Sequence, residues 1–86
     1  MGRLPKGWKK KLENSKVTSY SKDKYVIYIW TQKKPKKHYL VEPFRKMANY
    51  KRRLFSKKFK SLSAAKKFCW QLMNQKEIRG YFLRDD

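Results

Sequence analysis

The sequence predicts an α+β fold, a three- or four-stranded antiparallel sheet packed against one C-terminal α-helix. Three observations predict it. Tyr25-Val26-Ile27-Tyr28-Ile29-Trp30-Thr31 consists of β-branched and aromatic residues, the composition of a strand. A lysine run broken by Pro35, from Gln32 to Lys37, separates it from a second strand-like stretch, His38 to Glu42, so the two read as a hairpin. Ala65, Phe68, Cys69, Leu72 and Met73 recur at i, i+3, i+4, i+7 and i+8, which draws one apolar stripe along a helix while Lys66, Lys67, Gln71 and Asn74 face away.

Ahead of these elements, residues 1–23 are polar and basic, with Leu4, Trp8, Leu12, Val17 and Tyr20 as apolar anchors. They are expected to form a partly ordered N-terminal arm in front of a single domain over residues 24–86. Leu4-Pro5-Lys6-Gly7-Trp8 reads as a turn that delivers a Trp, and Lys9 to Glu13 as a short edge strand. Trp8 is expected to pack on the core, because a domain with few aliphatic residues uses its large side chains there.

In the first strand of the hairpin, Tyr25, Ile27 and Ile29 share one face while Val26, Tyr28 and Trp30 share the other. Both faces are apolar, so the strand is central. A helix covers only one face of a sheet, which leaves the second for the arm, the tail or a ligand. Pro43 ends the returning strand or places it at an edge. Phe44 to Tyr50 is expected as an irregular loop, since Lys51 interrupts the helical stripe that Phe44, Met47, Ala48, Leu54 and Phe55 would otherwise form. Leu54, Phe55 and Phe59, set among Lys and Arg, suit an amphipathic third strand over Lys51 to Phe59. Ser61 or Ser63 then caps the helix, Gly80 stops it, and Tyr81-Phe82-Leu83 folds back or pairs as a short strand before the solvated Asp85 and Asp86.

Composition narrows the function. Among 86 residues, 25 Lys and Arg oppose 6 Asp and Glu, giving a formal charge of +19 and a pI near 10.3. Yet 40% of the residues are hydrophobic and 16% aromatic, a supply of apolar surface that charged disordered tails lack. The chain therefore reads as a folded basic module with one thin core. Self-repulsion of this size disfavours compaction unless a polyanion relieves it, which points first to nucleic acid.

Other classes are excluded on inventory. One Cys, Cys69, and one His, His38, allow neither an intramolecular disulfide nor a four-ligand zinc site. The acids Glu13, Asp23, Glu42, Glu77, Asp85 and Asp86 are scattered, whereas a metal-dependent nuclease needs two or three converging carboxylates. Cys69 lies on the apolar stripe, where a thiol is inert, and Gly2, Gly7 and Gly80 stand too far apart for a phosphate loop. No catalytic residue, metal or cofactor is expected. The strongest apolar run, Tyr25 to Trp30, is far below the roughly 20 residues of a membrane helix, and no segment near Met1 resembles a secretory signal. The expected location is the cytoplasm, at the nucleoid, or the nucleus of a eukaryotic cell.

The cations fall in groups between the folded elements. Lys9 and Lys10 lie in the arm. Lys33, Lys34, Lys36 and Lys37 form the hairpin tip. Arg45, Lys51, Arg52 and Arg53, and then Lys57 and Lys58, flank and fill the third strand. Lysine supplies charge to phosphates, whereas Arg presents two parallel donors to a guanine, so Arg45, Arg52 and Arg53 are the candidates for base contact. Tyr28 and Trp30 share a strand face and suit the stacking of single-stranded bases. If about six cations neutralise phosphates of a duplex, affinity falls with a log-log salt slope near −5, or roughly a thousandfold from 50 to 200 mM salt.

The run Phe59-Lys60-Ser61-Leu62-Ser63-Ala64-Ala65-Lys66-Lys67-Phe68, following a hairpin and a third strand, resembles DNA-binding domains built as a three-stranded sheet on one C-terminal helix. The arm-binding domains of tyrosine integrases and the plant ethylene-response-factor domain are of this kind. Leu4 to Trp8 is similar to the start of a methyl-CpG-binding domain, which shares the layout. The resemblance spans residues 24–76 and implies an exposed sheet face that enters the major groove. The chain departs from these families in the stretch from Pro43 to Tyr50 and in carrying Lys or aromatic residues where their strands carry Arg. Ser63-Ala64-Ala65-Lys66-Lys67 is also similar to the basic final helix of a double-stranded RNA-binding domain, although the N-terminal helix of that family is missing.

These readings converge on a non-catalytic DNA-binding protein that uses a basic sheet face and a hairpin tip, an accessory or regulatory factor of a phage or mobile element, with DNA preferred over RNA. Two alternatives stand beside it: an RNA or single-strand binder that works by aromatic stacking, and a small inhibitor or adaptor that docks on an acidic protein.

Overall fold

The computed structural model describes residues 4–75. It is an α+β fold in two layers: a six-stranded antiparallel sheet and one helix laid across a single face of it. The strands are β1 (Lys9–Glu13), β2 (Val17–Lys22), β3 (Tyr25–Gln32), β4 (His38–Lys46), β5 (Lys51–Arg53) and β6 (Lys57–Phe59); the helix is α1 (Leu62–Met73). They run in the order β1-β2-β3-β4-β5, with β6 paired to β4 on the same edge as β5.

Three expectations are corrected here. Within the stretch expected as a partly ordered arm, the edge strand expected over Lys9 to Glu13 is present as β1, and a further strand, β2, is buried from Val17 to Ser21. Val17, Thr18, Ser19 and Ser21 are small or β-branched, Tyr20 enters the core, and the strand pairs with β3 along its whole length, from Val17 opposite Trp30 to Lys22 opposite Tyr25. Three or four strands therefore become six. Second, Pro43 and Phe44 do not begin an irregular loop: β4 continues to Lys46, and only Met47 to Tyr50 turn back. Pro43 is tolerated because its carbonyl accepts from the N–H of Leu54 on the β5 side. The donor that proline lacks would point to that side too, so the ladder to β3 loses nothing. Third, α1 ends at Met73 with Asn74 as its C-cap, well before Gly80. Gly80, Tyr81 to Leu83 and the terminal aspartates lie outside the described residues.

The expected third strand exists in two pieces. Phe44 pairs with Arg53 and Val41 with Lys57, so three steps along β4 are matched by four along its partner. This one-residue excess is a bulge. It resets the alternation so that consecutive Leu54 and Phe55 both reach the core, where Phe55 is 3% exposed and meets Phe68 edge to face at 6.0 Å.

The helix covers the face of Tyr25, Ile27 and Ile29, which close the core with Val41, Ala65, Cys69, Leu72 and Met73. Ser61 caps α1 by accepting from the N–H of Ala64 at 3.1 Å, as expected of one of the two serines. Trp8 is buried at 6% exposure, and its turn closes through the Trp8 N–H to the carbonyl of Pro5. Gly7 sits in that turn at φ +88°, a conformation that favours glycine, while the nearest atom to an added Cβ, Lys22 Cε at 2.8 Å, belongs to a flexible side chain that can move aside. Edge strand β1 is exposed throughout, and its lysines guard it against pairing with other chains.

Candidate nucleic-acid interface

Register fixes which side chains stand on the sheet face that the helix leaves open. Residues directly opposite in a ladder point to the same side, and the side alternates along each strand. On β3 the open face carries Val26, Tyr28 and Trp30. Across from them on β4 stand Phe44, Glu42 and Leu40, and on β2 stand Ser21, Ser19 and Val17. Ser19 and Ser21 are only 5% and 9% exposed even so, because they are short side chains between taller neighbours on β1 and β3.

Aromatic rings occupy the middle of this face. Tyr28 and Trp30 stack with centroids 5.3 Å apart and planes 22° apart, and Phe44 meets Tyr28 edge to face at 5.5 Å. Lys51 reaches across β4: its Nζ donates to the Tyr28 hydroxyl at 2.9 Å and lies 5.4 Å from the ring centroid, at the hydroxyl edge. Cations form the border. Lys9 on β1, Lys46 at the end of β4, Lys51 and Arg53 on β5 and Lys58 on β6 all share the open face by register and are exposed. Glu42 is the one acid among them, with Arg53 Nη1 at 3.4 Å from Oε2.

The charge arrangement is unfavourable for the protein alone. Lys46 lies directly opposite Lys51 on the open face, and Arg45 directly opposite Arg52 on the other. Like charges across a ladder destabilise a sheet, by up to about 1 kcal/mol per pair on the scale of cross-strand effects.

The residues singled out from sequence thus divide. Lys9, Lys51, Arg53, Lys58, Tyr28 and Trp30 come together on the open face. Lys33, Lys34, Lys36 and Lys37 are exposed at the β3–β4 tip, where His38 Nδ1 stands 2.7 Å from the carbonyl oxygen of Lys36. Lys10, Arg45, Arg52 and Lys57 point to the helix side. Lys10 is paired with Glu13 at 2.6 Å, and Lys57 lies over the Phe59 and Phe68 rings. Arg52 and Arg53 do not act as one unit, because adjacent strand residues face opposite ways. Sequence reading missed Phe44 and Lys46, which it had assigned to a loop. The i, i+2 alternation through Phe44 and Lys46 was the signal, masked by Pro43.

Titratable groups elsewhere have structural explanations. The Lys10 hydrogen bond and charge, aided by Lys66, hold the Glu13 carboxyl below its ordinary range. Burial pushes the Cys69 thiol up to about 12, which keeps it protonated and inert. Among the described residues no three His, Cys, Asp or Glu side chains are grouped to hold a metal ion, and no helix is long and apolar enough to cross a membrane. A cavity of about 220 Å³ lies at the end of α1 between Lys6, Lys22 and Asn74, apart from the aromatic row.

Comparison with protein-family models, with curated proteins and with solved structures returned no match.

Proposed function

We propose that this is a non-catalytic DNA-binding protein that lays its open sheet face and its lysine-rich hairpin tip on the nucleic acid. Its role is that of an accessory or regulatory factor, of the kind a phage or mobile element carries. The observation that supports this reading is the row Trp30, Tyr28 and Phe44, bordered by Lys9, Lys46, Lys51, Arg53 and Lys58, on the face that the helix does not cover. Bases and phosphates present the complementary surfaces, flat π-faces beside fixed negative charge. The opposed pair Lys46–Lys51 on the open face gains a counter-charge on binding, which turns a cost of the free protein into affinity. DNA is put before duplex RNA on the likeness of this sheet-on-helix layout to DNA-binding domains that present an exposed sheet face.

The test is a mobility-shift titration with single-stranded DNA, duplex DNA and duplex RNA of equal length at two salt concentrations. DNA is expected to bind more tightly than duplex RNA, with affinity falling steeply as salt rises. Equal binding to all three, abolished by moderate salt, reduces the protein to a generic polycation. Capture of an acidic protein that survives nuclease treatment, with no DNA bound, replaces this reading by that of an adaptor.

A further inference from the structure

The aromatic row runs along β3 with Trp30 at one end. Lys51 pairs with Lys46, and the Lys46 N–H donates to the Lys24 carbonyl, so Lys51 approaches Tyr28 from the Lys24 end of β3. Trp30 lies two residues along β3 in the opposite direction. Tyr28 therefore has the Trp30 ring against one face and the Lys51 ammonium at its hydroxyl edge. Trp30 has Tyr28 on one ring face, and among the described residues no ring or ammonium lies against its second. It is only partly buried, between Val17 and Leu40 of the neighbouring strands.

That second face looks toward the sheet end where cations gather. The β1–β2 turn is docked there, with the Lys16 carbonyl accepting from the Thr31 N–H at 2.9 Å, and the tip carrying Lys33, Lys34, Lys36 and Lys37 projects from the same end. An aromatic face beside exposed ammonium groups is the arrangement that holds a base by stacking while its flanking phosphates are neutralised.

We infer that Trp30 carries a stacking site for one unpaired base, which extends the Tyr28–Trp30 stack toward the lysine tip. This rests on the DNA-binding reading and narrows its substrate to DNA with at least one base out of the helical stack.

The test compares a twelve-nucleotide oligothymidylate with an abasic strand of the same length, which keeps the phosphates and removes the bases, at one fixed salt concentration. The wild-type protein is expected to bind the thymidylate about 5- to 150-fold more tightly, the span of one stacked base. Trp30→Leu is expected to lose that preference while keeping its affinity for the abasic strand, and Trp30→Phe to retain much of it. An NMR readout on the wild-type protein stands independent of any variant's folding: the Trp30 indole signal moves with thymidylate and not with the abasic strand, while that of buried Trp8 stays. Equal affinity for both strands, or a preference kept by folded Trp30→Leu, overturns the stacking site and leaves salt-dependent DNA binding intact. Failure to bind any DNA at low salt overturns the functional reading itself.

Discussion

The indole N–H of Trp8 donates to the main-chain carbonyl of Met73 at 3.1 Å, across 65 positions of sequence. Met73 is the last residue of α1, and its carbonyl is one of those a helix end leaves without an internal partner. The bond therefore ties the start of the sheet to the end of the helix, and it commits Trp8 to the fold. Replacing Trp8 with Phe keeps an aromatic ring but strands that carbonyl. A loss of about 1–3 kcal/mol in urea unfolding is expected, with DNA affinity unchanged under conditions where the variant is folded. An equal loss of affinity in the folded variant would place Trp8 at the interface instead.

Gly7 sets the angle at which Trp8 enters. At φ +88° an L side chain is strained, whereas the Lys22 side chain beside it can move aside. Gly7→Ala is expected to lower stability by about 1–2 kcal/mol, read from the same urea midpoint. A midpoint equal to that of the wild type would show that the turn relaxes without cost.

Stability should also depend on pH through Cys69. Burial raises the thiol from 9.0 to about 12, so the folded protein keeps its proton where the unfolded chain has lost it. The contribution is fully present below about pH 9 and is lost as pH rises from there toward 12, by at most about 1.4 kcal/mol per pH unit. Tyr20, raised from 10.0 to about 12 mainly by desolvation, adds a similar loss at higher pH in every variant that keeps it. The stability difference between wild type and Cys69→Ala is therefore expected to shrink between pH 8 and pH 11. Parallel pH profiles would show that the thiol is not buried as described.

Elements whose pattern was complete in a short window were legible in the sequence. The β3 run, the α1 stripe and the Ser61 cap each need only neighbours within a few residues. Less legible was whatever depended on a partner strand. β2 reads as polar because Thr18, Ser19 and Ser21 are buried by taller neighbours rather than by their own hydrophobicity. β4 reads as ending at Pro43 because the direction of the missing N–H is set by Leu54, eleven positions later. The Leu54-Phe55 pair obscures the third strand until the bulge places both on one side. At the interface, Tyr28 and Trp30 were visible as a pair on one face. The division of the cations between faces required the register, since Lys9 and Lys10, or Arg52 and Arg53, are equivalent in composition and opposite in direction.

The central claim is that DNA lies on the open face, and two charge-matched double variants test it directly. Lys51→Ala with Lys58→Ala removes two open-face cations, and Arg52→Ala with Lys57→Ala removes two from the helix side, so net charge falls equally. Affinity for a labelled single-stranded oligonucleotide is measured by fluorescence anisotropy across a salt series. The open-face pair is expected to bind at least tenfold more weakly, with the log-log salt slope reduced by about 1.4, while the helix-side pair stays close to wild type. Equal losses in the two variants, or a larger loss in the Arg52 and Lys57 pair, would contradict the assignment of the open face.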